Sequence, residues 1–239
     1  MRVGVVGVGT VGAAVADNLE RYNEVARWDP DKGYRDAIRG SDIIFICVYD
    51  TGNMELVTSV VQQYASLGAP LVIKTTLRPG TTDDLEERFG AEMAFCPEFL
   101  SADTAHEDFE HQGYAVIGTR STRALALLRE LLTPFASRFL VMEPVQAEIL
   151  KLAQNAFYAI KVIFANEIAD ICEVWGNDYE PVRDALYMSP FIGHNHLDVD
   201  HKGYRGFGGA CLPKDTTMLS WEGSRLAELA LSINKVLEC

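Results

Sequence analysis

One cysteine lies in a glycine-rich segment of the last forty residues. Residues 206–215 have the sequence GFGGACLPKD, in which three glycines precede Cys211. Glycine lets the backbone adopt positive φ and approach a ligand closely, and Pro213 suits the first turn of a helix. Helix N-terminal amides and the adjacent charge of Lys214 favour a thiolate. The pattern predicts that Cys211 is a nucleophile toward a small electrophilic carbon. The alternative is a tight turn in which Cys211 is a small buried apolar residue.

A second glycine-rich segment lies at the start of the chain. Met1–Val6 predicts a short buried strand, residues 7–12 have the sequence GVGTVG, and Ala13–Leu19 predicts a helix. The first glycine of such a loop makes the tight turn, the second lets a pyrophosphate approach, and the third allows close helix-on-strand packing. We therefore expect a dinucleotide cofactor, bound by Gly7, Gly9, Thr10, Val11 and Gly12.

An acidic residue ends the next predicted strand. Val25–Trp28 is followed by Asp29, which suits the end of strand two. A carboxylate there accepts hydrogen bonds from both ribose hydroxyls and repels a 2′-phosphate, so Asp29 favours NAD over NADP. Two alternatives remain open at this stage. Arg27 could bind a 2′-phosphate, and Asp29-Pro30-Asp31 could be only a turn.

Composition restricts the class of protein. The chain has 239 residues, 48% of them hydrophobic, and a formal net charge of −13. That charge argues against nucleic-acid binding, because the phosphate backbone would be repelled. No apolar run approaches the roughly 20 residues of a membrane span, and no secretory signal precedes the first glycine segment. The five cysteines are scattered without a CxxC pair, which argues against structural zinc and predicts a reducing, cytoplasmic compartment.

Strand-like and helical segments alternate over the first 140 residues. This predicts an α/β fold of Rossmann type, a doubly wound, mostly parallel sheet that a long helix and a small all-α domain follow. Ile43–Val48 and Leu71–Ile73 are apolar throughout, as expected of strands covered by helices on both faces. Ligands of such sheets bind at the carboxyl ends of the strands. Residues at these ends are Val48, Asp50, Thr51, Thr75, Thr76, Pro97 and Glu98, of which Val48 and Thr75 are predicted cofactor contacts.

The pattern changes after Pro144. Residues 145–175 contain no proline or glycine and repeat apolar residues at helical spacing. One helix of about 30 residues and about 45 Å is predicted. We expect a NAD-binding domain over residues 1–142, an α-helical substrate and dimerisation domain over residues 143–239, and a homodimer through helix 145–175. Further helices are predicted at Glu180–Tyr187 and Trp221–Leu237, and 193–209 is a loop long enough to be functional.

Three polar residues share one face of the long helix. Glu148, Lys151 and Asn155 follow the spacing i, i+3 and i+7. They could form a solvated stripe, in which Glu148 and Lys151 make a surface pair that contributes about 0.2–0.5 kcal/mol. The apolar neighbours of Asn155 instead predict partial burial, and a buried lysine and amide require polar partners.

Five ordered motifs carry a resemblance to a known family. Besides the two glycine segments, they are KTT at 74–76 with PGTT at 79–82, PEFL at 97–100 and KLAQN at 151–155. Together they resemble the nucleotide-sugar 6-dehydrogenases, typified by UDP-glucose dehydrogenase, over nearly the whole chain. That family uses two NAD to carry a primary alcohol through an aldehyde to a carboxylate.

The resemblance implies a catalytic role for each of several residues. Cys211 would attack the aldehyde to give a thiohemiacetal, whose oxidation leaves a thioester. Lys151 and Asn155 would stabilise oxyanions, Thr76 would position water or substrate, and Asp215 would assist proton transfer and hydrolysis. Glu98 is a further expected catalytic residue, and the residues expected at the substrate are Phe99, Leu100, Arg205, Phe207 and Gly208. Lys202 and Arg205 could bind a phosphate, or could be only solvated charges of an exposed loop.

The chain also departs from the family pattern. Ala102, followed by Asp103, stands where members have a glutamate that helps to deprotonate water or alcohol, so Asp103 or Glu98 would have to substitute. Phe191 stands where many members have an arginine that crosses the dimer to the substrate. The sequence stops at Cys239, whereas members continue into a second Rossmann-like domain. We therefore expect a compact relative with an open or differently built substrate site.

The expected activity is the NAD-dependent oxidation of a primary alcohol on a sugar or nucleotide-type small molecule. A single oxidation to the aldehyde on another hydroxymethyl substrate and a noncatalytic NAD-binding remnant are the alternatives. His194, His196 and His201 could suggest a metal. No carboxylate or thiol stands at a fixed helical spacing from them, so we expect no metal site and interpret this loop as lying near the substrate.

Overall fold

The computed structural model of this protein describes residues 1–200 and 203–237. The chain divides into two units, Met1–Lys151 and Leu152–Cys239. His201, Lys202 and Cys239, which the sequence analysis considered, lie outside the described residues. The sequence predicts a domain boundary between residues 142 and 143. The first unit extends further, to Lys151. Glu148 and Lys151 both hydrogen-bond to loops of the sheet domain.

The first unit contains one eight-stranded sheet in the order β3-β2-β1-β4-β5-β6-β7-β8. β2 and β4 flank β1 in parallel, and β5 and β6 continue the parallel part. β3 is antiparallel to β2, and β7 is antiparallel to β6 but parallel to β8. The mostly parallel sheet is thus confirmed. The strands are β1 Arg2–Val6, β2 Glu24–Asp29, β3 Tyr34–Arg35, β4 Ile43–Ile46, β5 Leu71–Ile73, β6 Met93–Phe95, β7 Ala115–Gly118 and β8 Phe139–Met142.

Helices cover both faces of this sheet. Alternate strand residues point to opposite faces, so Ile43 and Phe45 join one apolar core and Ile44 and Ile46 the other. α1, α4 and α5 cover the first core, and α2, α3 and the first turns of α6 cover the second. This is the doubly wound arrangement that the apolar strands predicted. The helices are α1 Thr10–Glu20, α2 Glu55–Tyr64, α3 Thr81–Phe89, α4 Ala105–Glu110, α5 Thr122–Leu132 and α6 Pro144–Val174.

The second unit is helical in its described part. It contains the rest of α6, followed by α7 Glu180–Tyr187, α8 Leu212–Trp221 and α9 Arg225–Leu237. Two apolar clusters form its core, one around Phe207 between α6 and α9, the other around Tyr179 and Leu197. The segments 193–200 and 203–209 contain no helix, as predicted.

Several elements differ from the sequence-based expectations. The predicted helix Trp221–Leu237 is confirmed from Arg225 to Leu237 but its predicted start is wrong, because α8 ends at Trp221 and α9 begins only at Arg225. Gly223 separates them at φ +91°, a left-handed conformation that ends a helix. β8 was missed because it is a half-exposed edge strand, and α4 because its six residues are mostly polar.

Candidate active site

The first glycine segment has the geometry of a phosphate-binding loop. Gly7 adopts φ +84°, and a Cβ added at Gly12 would lie 1.8 Å from Gly7 O, so both positions require glycine. A Cβ added at Gly9 would meet no atom of the described residues within 4 Å, so the backbone is open there. α1 begins at Thr10, immediately after this loop, and directs its N-terminal amides to the same place. The loop therefore fits a dinucleotide.

Two side chains hold the central residue of this loop. Val8 N donates to Asp29 Oδ2 over 2.7 Å, and Lys32 Nζ donates to Val8 O over 2.8 Å. Asp29 is the last residue of β2, and residues Pro30–Lys32 form a 3₁₀ turn after it. The strand end and the turn, which the sequence left as alternatives, therefore both occur. The second carboxylate oxygen, Asp29 Oδ1, is chemically suited to accept from a ribose hydroxyl.

Arg27 is engaged elsewhere. Its guanidinium donates to Asp17 over 2.8 Å and to Glu20 over 2.9 Å, both on α1. The pKa of Arg27 is raised, chiefly by the hydrogen bond with Glu20. The acidic partners neutralise the charge that a 2′-phosphate would need, which removes the alternative role considered for this arginine.

The carboxyl ends of the parallel strands bring predicted residues to one edge of the sheet. Thr75, which follows β5, donates through Oγ1 to the carbonyl oxygen of Val48, which follows β4, over 2.7 Å. Thr75 is buried and Thr76 half-buried. Val48, Thr75 and Thr76 thus lie together beyond adjacent strands, as the topology predicted.

Two buried lysines bind consecutive carbonyls of the segment after β6. Lys74 Nζ lies 3.4 Å from Pro97 O, and Lys151 Nζ donates to Glu98 O over 2.7 Å. Lys151 Nζ also lies 3.4 Å from Glu98 Oε1 and 5.2 Å from the centre of the Phe99 ring. The PEFL segment is therefore fixed by two ammonium groups. Lys74, which the sequence analysis assigned no role, is one of them.

The rest of the PEFL segment is bound within itself and to the core. Leu100 N donates to Glu98 Oε2 over 2.6 Å, so both carboxylate oxygens of Glu98 have partners. The side chains of Phe99 and Leu100 pack against the two apolar cores of the sheet. Ala102 is exposed in the turn that follows. The predicted substrate contacts of Phe99 and Leu100 stay predictions.

Glu148 has a role that the sequence analysis missed. It is fully buried, and its carboxylate accepts from Gly80 N over 2.6 Å, from Thr82 N over 2.8 Å and from Thr82 Oγ1 over 2.6 Å. Burial away from water raises its pKa, against the effect of these hydrogen bonds. The solvated stripe is wrong, because Glu148, Lys151 and Asn155 are only 0%, 4% and 6% exposed. The partner of Glu148 is the turn before α3, not Lys151.

In the second unit, Cys211 stands at the start of a helix. It is the N-cap residue of α8, Pro213 lies in the first turn as predicted, and Cys211 is exposed. Cys47 and Cys96 are buried in the sheet, and Cys172 is half-buried. Burial raises the pKa of the Cys47 thiol to about 12, so that thiol stays protonated and unreactive. Among the described cysteines, exposure distinguishes Cys211.

One turn after Cys211, a buried carboxylate is held by two donors. Asn155 Nδ2 donates to Asp215 Oδ2 over 2.6 Å, and Lys214 Nζ donates to Asp215 Oδ1 over 2.5 Å. Asp215 N in turn donates to Cys211 O over 2.9 Å. The structure thus brings Asn155, Asp215 and Cys211 together, with Lys214 as an additional member that the sequence placed only beside the cysteine.

Residues before the cysteine have partners within the second unit. Arg205 donates to Asp170 over 2.5 Å and to Asn166 Oδ1 over 2.9 Å. The Phe207 ring is buried in the core, and a Cβ added at Gly208 would lie 2.7 Å from the phenol oxygen of Tyr204. The predicted substrate contacts of Arg205, Phe207 and Gly208 stay predictions.

The histidines of the long loop contact aromatic rings. His196 stacks on Tyr158 at 4.2 Å between centroids, and His194 lies 5.8 Å from Tyr187. Within residues 1–200 and 203–237, no group of three or more histidine, cysteine, aspartate or glutamate side chains could hold a metal ion. Nor does the described part of the chain contain a helix long and apolar enough to cross a membrane.

Comparison with known proteins identifies both units. Residues 17–136 match the NAD binding domain of the UDP-glucose/GDP-mannose dehydrogenase family, and residues 145–238 match its central domain. The chain therefore carries the NAD-binding domain of that family.

Individual relatives agree with these matches. A UDP-glucose 6-dehydrogenase of Bacillus subtilis is 37% identical over 201 residues, which are 77% of this chain and 42% of the relative. One of Rickettsia prowazekii is 31% identical over 204 residues, 78% of this chain and 46% of the relative. The chain spans about half the length of these curated relatives. The solved structure of a UDP-glucose dehydrogenase from Pyrobaculum islandicum is similar over 98% of this chain and 68% of its own, with a TM-score of 0.85 and 26% identity.

Proposed function

The chain belongs to the UDP-glucose/GDP-mannose dehydrogenase family, and we propose that it takes part in the NAD-dependent oxidation of a primary alcohol of a nucleotide sugar to the carboxylate. UDP-glucose is the first substrate to test, because the relatives named above are UDP-glucose dehydrogenases. The observation that supports this proposal best is the exposed Cys211 at the N-terminus of α8, one turn from the Asn155–Asp215 hydrogen bond.

The first unit supplies the cofactor site. We propose that Gly7, Gly9 and Gly12 hold the pyrophosphate of NAD, and that Thr10 and Val11 contribute the helix N-terminus to it. Asp29 then binds the ribose hydroxyls, and Val48 and Thr75 line the site at the strand ends. The cofactor held there would supply the hydride acceptor, with one NAD for each of the two oxidations. The open backbone at Gly9 supports this assignment.

Cys211 provides covalent catalysis for the second oxidation. Its thiolate sulfur forms a bond to the aldehyde carbon, and the carbonyl oxygen takes up a proton, which gives a thiohemiacetal. Loss of a hydride and a proton converts this to a thioester. Water then adds to the thioester carbon, the carbon–sulfur bond breaks, and Cys211 leaves as the thiolate. The product is the carboxylate.

The polar residues of the site stabilise negative charge and transfer protons during these reaction steps. We propose that the Lys151 ammonium and the second N–H of the Asn155 amide stabilise the oxyanions, since both are preorganised by burial. Asp215, held by Asn155 and Lys214, takes the proton of the attacking water. Thr76 positions that water or the substrate hydroxyl. Glu98 positions Lys151 through its main-chain and side-chain oxygens.

A second candidate activity is a single oxidation that stops at the aldehyde. Ala102 is exposed where the family pattern has a glutamate, and the Glu98 carboxylate is already bound to Leu100 N and Lys151. The hydrolysis of a thioester therefore lacks the glutamate of the family pattern and would depend on Asp215 as its base. The number of NADH formed per substrate consumed distinguishes the two activities, because the full reaction gives two and the single oxidation gives one. In the full reaction, Ala102→Glu speeds steady-state release of acid without changing the initial burst of NADH.

We further propose that the enzyme is a homodimer in the cytoplasm. Phe157, Phe164 and Ile171 follow one another at intervals of seven residues along α6, and each is about half exposed. Such a stripe is the pattern by which two copies of one helix pack together. The scattered cysteines agree with a reducing compartment, in which the thiol of Cys211 stays reduced.

A further inference from the structure

One side chain binds both main-chain polar groups of Phe207. Phe207 N donates to Asn234 Oδ1 over 2.7 Å, and Asn234 Nδ2 donates to Phe207 O over 2.9 Å. Phe207 is 2% exposed and Asn234, on α9, is 5% exposed. Buried main-chain groups require partners, and here a carboxamide supplies one donor and one acceptor in the manner of a neighbouring strand. The backbone of Phe207 is thereby fixed.

The residue before Phe207 is adapted to this contact. Gly206 adopts φ +81°, and a Cβ added there would lie 2.4 Å from Asn234 Oδ1. Any side chain at position 206 would therefore both strain the backbone and displace the carboxamide. The glycine segment and Asn234 form one structural arrangement, although 28 residues separate Gly206 from Asn234 in the sequence.

Cys211 lies between this anchor and another. On its C-terminal side, Asp215 is bound by Asn155 and Lys214 and donates through its main chain to Cys211 O. On its N-terminal side, residues 208–210 are half-buried or exposed and contain Gly209 at φ +77° with open space around it. The Asn234 contact is thus the buried anchor on the N-terminal side of the exposed residues 209–211.

We propose that Asn234 is the positioning residue of the Cys211 loop. It acts through Phe207, and its role is to hold the thiol at the N-terminus of α8 where a nucleophile is required. The consequence for catalysis rests on the proposed role of Cys211, whereas the effect on the loop itself does not.

The apolar surroundings of Phe207 make its hydrogen bonds with Asn234 sensitive to a charge introduced at position 234. Apolar side chains pack around its ring, among them Ala159, Val162, Ile163, Ala230 and Leu237. In Asn234→Asp, one oxygen still accepts from Phe207 N, but the other faces Phe207 O without a proton. Protonation of the introduced carboxyl restores a donor at that position. The variant is therefore expected to lose the contact at high pH and to recover it at low pH.

The experiment uses the full chain with Cys172→Ser and Cys239→Ser, so that alkylation reports on Cys211. For Asn234→Asp, the alkylation rate of Cys211 and the hydrogen exchange of the peptide 203–211 are measured at pH 5 and pH 8, each relative to the parent at the same pH. We expect exchange in this peptide to rise about tenfold at pH 8, the alkylation rate to change with it, and both to return toward the parent at pH 5. The control Asn177→Asp, an exposed asparagine of the same unit, should match the parent at both pH values.

A second variant keeps the test decisive if Asn234→Asp does not fold at pH 8. Asn234→Ser cannot reach both groups of Phe207, so the loop should be loosened equally at pH 5 and pH 8. In the active enzyme it should lower kcat while leaving the Kd of NAD unchanged. Parent-like exchange and alkylation in both variants, or a loss in Asn234→Asp that does not depend on pH, would overturn the proposal. A loosened loop in a chain without dehydrogenase activity would support the positioning role and contradict the proposed function.

Discussion

Lys151 donates a hydrogen bond of 2.7 Å to the main-chain oxygen of Glu98. The ammonium comes from the eighth residue of α6 and the oxygen from the segment after β6, so the contact ties the first turns of α6 to the carboxyl edge of the sheet. An ammonium has three donors, and Glu98 O and Oε1 are the acceptors of two of them. One N–H of a buried, preorganised cation is thus chemically suited to bind an oxyanion.

Lys151→Ala should lower kcat by about 10²-fold or more and leave the affinity for NAD nearly unchanged, because it removes a donor to the transition state. Turnover and NAD titration check this. Lys161→Ala is the matched control, since Lys161 lies on the same helix and also donates to main-chain oxygens, at Ile192 and Asn195. Equal losses in both variants would mean that Lys151 only stabilises the fold.

Cofactor choice is tested at Asp29. Asp29→Asn keeps an oxygen for Val8 N but removes the charge that repels a 2′-phosphate, so the loop should survive while discrimination against NADP falls. Calorimetric Kd values for NAD and NADP provide the measurement, with Asp31→Asn as the control in the following turn. Equal affinity of the unmutated protein for both cofactors would refute the role of Asp29.

The stability of the first unit should depend on pH through Glu148. Burial raises its pKa above the ordinary value of 4.5, so the folded protein binds this proton more tightly than the unfolded chain does. The stabilising contribution is then fully present below about pH 4.5 and is lost as pH rises through the folded-state pKa. Glu148→Gln cannot titrate.

Urea unfolding from pH 4 to pH 8 measures this difference. The free energy of unfolding of the unmutated protein, relative to Glu148→Gln, should decrease as the pH rises through that window. The exposed Glu130→Gln should show no such change relative to the unmutated protein. A difference between the unmutated protein and Glu148→Gln that is constant across the range would contradict the account.

The apolar stripe on α6 predicts the oligomeric state. Phe164→Glu places a charge in the middle of the stripe and should convert the dimer to a monomer, because an unpaired charge in an apolar interface is costly. Sedimentation equilibrium checks the mass. Val236→Glu, which changes a more exposed apolar residue on α9, should leave the dimer intact. A monomeric unmutated protein at micromolar concentration would refute the interface.

The sequence predicted the buried parallel strands and the residues at their carboxyl ends, because the relevant signals are local. Apolar runs such as Ile43–Ile46 identify buried strands, and the glycine spacing around Gly9 identifies the phosphate loop. The topology then places Thr75 next to Val48 without further information.

Contacts between distant segments could not be predicted in this way. The helical spacing offered Glu148 only a surface pair with Lys151 as one alternative, whereas its partners lie 66 and 68 residues away at Thr82 and Gly80. No local sequence pattern indicates the role of Asn234, since its contact with Phe207 depends on how α9 packs in the second unit. Such polar contacts are set by tertiary burial, which periodicity does not encode.

The central claim is that Cys211 forms a covalent intermediate. Enzyme mixed with NAD and UDP-glucose and quenched during the first turnovers should carry a substrate-derived adduct on the peptide that contains Cys211, detected by mass spectrometry. Cys211→Ser should carry none and should form no acid, while two NADH appear per substrate in the unmutated enzyme. Unmodified Cys211 throughout, with aldehyde as the sole product and one NADH per substrate, would contradict the claim and leave only the first oxidation.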